Sequence, residues 1–149
     1  MDQPTAAAVL RGLDPLVGER ALEASPPGGD SWPGGGRCTF EWHASGAHLV
    51  PRTAVELPEA PDSLCIIGCD GANRGFVQLY ADERGVSRIF DMSIGEGTWR
   101  LWRTGEPFAQ RFTATISPDG DTITGRWERS DDGMTDEADF DLVYRRIVG

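Results

Sequence analysis

From Arg37 onward, runs of strand length alternate with short turn clusters, and that alternation leaves few folds open. Cys38–Ala44 runs into Ser45-Gly46, His48–Glu56 into PEAPDS, Leu64–Cys69 into DGANRG and Phe76–Ala81 into DERG. Val86–Ser93 ends at GEG, Thr98–Arg103 at TGEP, Phe108–Ile116 at PDGD and Thr122–Arg129 at SDDG, while Ala138–Ile147 closes the series. With a strand at Glu19–Ala24, this makes about ten strands joined by hairpin-sized turns, the mark of an antiparallel meander. Long open edges would invite aggregation, so closure into an all-β, up-and-down barrel is expected, with a sandwich as competitor. Pro4–Leu16 reads as a short helix ended by Gly12 and Pro15, within an N-terminal helical segment 1–18. Between the first two strands, SPPGGDSWPGGG at 25–36 can hold no regular element and is read as a flexible loop. Its Trp32 either pins the loop to the barrel wall or closes a pocket mouth.

A chain of 149 residues fits a single domain, one that buries roughly 68–70% of its unfolded surface. Its 14 basic and 24 acidic residues give a net charge of −10, which disfavours nucleic acid and anionic membranes as partners. Every basic residue is arginine. Chemistry that needs a lysine amine, such as a Schiff base or a P-loop, is therefore excluded. The start of the chain lacks the basic and apolar regions of a signal peptide, and no run approaches the ~18 apolar residues of a membrane span. Cys38, Cys65 and Cys69 are odd in number, and strand geometry puts the last two about 13 Å apart, beyond disulfide reach. A cytoplasmic location with reduced, structural thiols is expected.

Strand alternation says which side chains share a face. Even positions give Phe40, Trp42, Val50, Arg52, Phe76, Gln78, Tyr80, Arg88, Phe90 and Met92, then Phe108, Gln110, Phe112, Phe140, Leu142 and Tyr144. Odd positions supply Trp99, Leu101, Ile123 and Trp127, where turns or bulges shift the count. An interior of rings interleaved with hydrogen-bonding groups suits a small-molecule site, since apolar area gives affinity and donors give orientation. Trp42, Tyr80, Phe90, Trp99 and Trp127 would form walls, with Arg52, Arg88, Gln78 and Gln110 orienting a polar end. Buried arginines need partners. Either Glu41, Asp91 or Glu128 braces them, or an oxygen-rich ligand group does.

The same pocket could instead serve a cofactor-independent cyclase or isomerase of secondary metabolism. Tyr80 and Arg88 would polarise a carbonyl, with His48 or Glu41 as base. No GxSxG, GxGxxG, HExxH or CxxC motif is present. His43 and His48 make an incomplete zinc site, and the acidic stretch after Ser130 lacks calcium-loop spacing. Neither metal nor cofactor is expected. Leu49, Val55, Val77, Leu79 and Ile89 fall on the opposite face and must be covered by the N-terminal helix or a second subunit, so a homodimeric interaction module is a further option.

Six segments together resemble a family of small, largely uncharacterised actinobacterial lipocalin-like barrels: LRGLDPLVGE near the start, FEW at 40–42, RGVSRIFDMS at 84–93, WRLWR at 99–103, FAQRFTATIS at 108–117 and DTITGRWERSDDG at 121–133. The closing DFDLVYRR completes the set. The resemblance implies a barrel with an internal cavity and ligand binding, but no agreed activity. Arg20 stands where the family commonly has Trp, Gln78 where it usually has His, and Asp136-Glu137 where a Trp is usual. Haem-binding relatives of this architecture use a histidine near the C-terminus, and VYRRIVG offers none. The resemblance therefore disfavours haem.

Overall fold

A computed structural model describes residues 10–43, 46–56, 60–70, 75–105, 107–132 and 134–147. The expected helix start before Leu10, and the turn residues 44–45, 57–59, 71–74, 106 and 133, lie outside the described residues. A 3₁₀ helix, η1 (Arg11–Leu16), leads into ten strands. These are β1 (Gly18–Ser25), β2 (Gly36–Trp42), β3 (Leu49–Val55), β4 (Ser63–Asp70), β5 (Gly75–Asp82), β6 (Ser87–Gly95), β7 (Thr98–Arg103), β8 (Ala109–Ile116), β9 (Thr122–Ser130) and β10 (Glu137–Arg146). Each strand pairs antiparallel with its sequence neighbours, and β1 pairs with β10, so the meander closes into a barrel. Among the described residues no helix is long and apolar enough to cross a membrane.

Gly12 and Pro15 lie inside η1 rather than ending it. The spacing of its leucines explains the tighter helix. Side chains three apart eclipse in a 3₁₀ helix, so Leu10, Leu13 and Leu16 fall on one face, and all three are buried. That face plugs one end of the cylinder beside Phe76 and Met92. Burying a leucine is worth about 1.5–3 kcal/mol, so the plug is a substantial part of the core. Beneath it Arg20 is fully buried. It donates to the Pro15 carbonyl at 2.8 Å and the Asp121 carbonyl at 3.4 Å. Its register partner Arg146 donates to the carbonyls of Val17 and Gly120 and to Asp121 Oδ1.

The expected inward positions point inward with one exception, β3. Phe40 pairs with Pro51 and Trp42 with Leu49, which turns Leu49, Pro51 and Thr53 inward and Val50 and Arg52 outward. Arg52 is exposed. Hairpin register is set by the turn, and a slip of one residue exchanges the faces, so counting within strands could not carry across residues 43–48. For the same reason Leu49 is in the core. Of the outward set, Leu79 and Ile89 remain 43% and 66% exposed, in register with Ile66 at 38%. η1 does not cover this row, because it sits at the barrel end.

Rings fill the waist of the barrel. Phe40, Tyr144 and Phe112 surround Trp99, and Trp127 packs on Phe112, with centroids 5.0–6.0 Å apart and mostly edge-to-face. Phe112 lies directly over Gly125, where an added Cβ would come within 2.5 Å of the ring. Expected wall residues Trp99 and Phe90 are thus packing elements at 3% exposure rather than the lining of a wide hollow.

Candidate binding site at the barrel mouth

At the end away from η1, the inward positions change from rings to guanidinium groups. Strand pairing places Arg103 of β7 and Arg129 of β9 on either side of Gln110 of β8. From β6, Arg88 Nη1 donates to Gln110 Oε1 at 2.8 Å. Arg103 Nη1 donates to the Phe108 carbonyl at 2.8 Å. The Phe108 ring carries the guanidinium of Arg129 at 4.0 Å and that of Arg88 at 5.1 Å, both within cation–π range. Arg129 also pairs with Asp131 at 2.9 Å. Burial and the nearby Arg88 hold Arg103 below the ordinary arginine value. Among the described residues no carboxylate pairs with Arg88. The acids expected to brace it point elsewhere: Glu41 and Asp91 are exposed, and Glu128 pairs with Arg111 on the outer face.

Beneath these cations lies an aromatic floor. Trp127 and Phe140 are stacked at 6.5 Å, Phe90 meets Trp127 edge-on at 5.5 Å, and Trp32 reaches over Phe140 at 6.4 Å. The 25–36 loop has no regular element, yet Trp32 N–H donates to the Ala24 carbonyl and Gly28 N–H to Asp141. Trp32 therefore both ties its loop down and stands at the rim.

On β5, the strand next to Arg88's β6, the Tyr80 hydroxyl donates to Asp82 Oδ2 at 2.8 Å. The Asp82 side chain is fully buried and also accepts from Arg84 and from the backbone N–H of Arg84 and Val86. Arg84 first, then Tyr80, hold its carboxyl well below the usual carboxylate range. Burial, followed by the bond to Asp82, pushes the Tyr80 phenol up, so its proton is committed within the protein.

Of the expected site residues, Tyr80, Arg88, Gln110 and Trp127 gather at the mouth, over Phe90. Gln78 is buried at the waist, opposite Ile67. Trp42 and Trp99 belong to the plugged end, and Arg52 faces outward. The four catalytic candidates do not meet. Tyr80 and Arg88 are register partners, but Glu41 is exposed on the outer face and His48 is exposed at the far end, its ring beside Gly68. Arg103 and Arg129 were not singled out from the sequence. Extending the odd count one step beyond Leu101 and Trp127 would have found both. A groove of about 460 Å³ also runs outside the plug, between η1 and the β6–β7 and β8–β9 turns. The Arg146 that lines it is already held by two backbone carbonyls and Asp121.

Fold and site together define a closed ten-stranded up-and-down barrel, plugged at one end and cationic inside the other. Among solved structures the chain is similar to Rv2717c from M. tuberculosis, with a TM-score of 0.60, 15% identity, and coverage of 94% of this chain and 98% of that one. At that identity the likeness extends to the fold. No protein-family model and no curated protein matches the chain.

Proposed function

We propose that this protein binds, at its barrel mouth, a small molecule with a flat aromatic or apolar body and an oxygen-rich end. The body would rest on Trp127 and Phe140 beneath Trp32, and the polar end would take donors from Arg88, Arg103 and Gln110. The observation that carries the reading is Arg88, an inward guanidinium whose acceptor is a neutral amide. A structural arginine at such a position would be expected to meet a carboxylate. Membership of the actinobacterial lipocalin-like family is part of the same reading, supported by the barrel and the set of sequence segments. An enzyme in this pocket is less well supported, since His48 and Glu41 stand away from it.

The test is a thermal-shift titration with two flat probes, 2-naphthoate and 2-naphthamide. A probe at 100 times its Kd stabilises by about 2.7 kcal/mol, a rise of roughly 5–10 °C for a domain of this size. Failure of both probes to raise the Tm at millimolar concentration overturns the reading. The exposed row Ile66, Leu79 and Ile89 supports a second proposal, a homodimer through this outer face, which Ile89→Lys should dissociate in analytical ultracentrifugation. A monomeric wild type would refute it.

A further inference from the structure

Building on that reading, we infer that the mouth selects a single negative charge, a carboxylate seated on Arg88 beside Gln110. The charge distribution points this way. The chain carries ten more acids than bases, yet three arginines converge on the inner rim while the acids of their strands turn outward. The inward acid on the strand next to Arg88, Asp82, already accepts from Tyr80, Arg84 and two backbone N–H groups, and has nothing left to offer the cluster.

Arg88 sets the ligand's valence. Arg129 is matched by Asp131, and Arg84 by Asp82. Arg88 is matched by no carboxylate among the described residues, so one anionic group balances it.

The donors are held ready. Phe108 fixes Arg88 against its ring and Arg103 at its carbonyl, and register holds Gln110 opposite Arg103. Gln110 Oε1 already occupies an acceptor position on Arg88. A ligand carboxylate oxygen can share or take that position, with the amide nitrogen of Gln110 donating to the other oxygen. A carboxylate adds the Coulomb attraction of an ion pair to those bonds, which a neutral carbonyl or amide ligand lacks.

Calorimetric titration of the full chain with 2-naphthoate and 2-naphthamide tests this. The acid should bind at least tenfold more tightly than the amide, and added salt should weaken the acid alone. Arg88→Gln should bring the ratio close to one, by weakening the acid far more than the amide. Gln110→Glu puts a carboxylate on Arg88 from within, and should also abolish the acid's advantage in a chain that keeps every cation. Arg52→Gln, on the outer face, should leave the ratio untouched. Equal binding of acid and amide, or a preference that survives both mouth variants, overturns the inference while the mouth remains a binding site. Binding of neither probe removes the site itself.

Discussion

The two ends of this barrel use the same side chain to opposite effect. At the plugged end Arg20 and Arg146 face one another across β1 and β10, and their donors reach backbone carbonyls of η1, of the β8–β9 turn and of Val17. Those contacts fasten the plug to the cylinder and leave little for a ligand. At the mouth, Arg88 rests on an amide oxygen and the face of a ring. An arginine enclosed by carbonyls is a fastening, whereas one resting on neutral acceptors at a rim keeps attraction for an anion.

The contrast predicts a gradient of mutational cost. Phe112→Ala, in the packed waist, should lose about 3–5 kcal/mol in urea unfolding; a loss below 1 kcal/mol would mean the waist is looser than described. Gly125→Ala should cost about 1–3 kcal/mol, since its Cβ must push the Phe112 ring aside. Arg88→Met, at the rim, should change stability by less than about 1 kcal/mol, because little in the fold leans on it. A large loss there would make it a fastening after all.

A smaller effect, confined to acid, should come from the Tyr80–Asp82–Arg84 cluster. The Asp82 carboxyl is held below its ordinary 3.8, so its contribution is complete above that value and fades as pH falls through the lowered one. The urea midpoint of wild type should exceed that of Asp82→Asn at pH 6, and the gap should narrow by pH 2.5. A gap independent of pH would show that the carboxylate's charge is not what matters.

Much of this was legible from alternation and turns. All ten strands fall where the runs and turn clusters place them, because the turns after β2 are short enough to force hairpins. Legibility stopped where information lies between strands. The facing of β3, and with it Arg52, depends on hairpin register. Whether a ring such as Trp99 lines a cavity or fills one depends on how side chains from all around the circle meet. The bonds of Arg20 to Pro15 and Asp121 are contacts no local pattern encodes.

Because β1 is zipped to β10, no strand in the circle has a free flank, and none can be peeled away by breaking a single ladder. Losing any one staves in two seams at once. In native-state hydrogen exchange the slow amides should therefore form a belt around the waist, shared among all ten strands, with fast exchange arranged by height along the axis rather than by order in the chain.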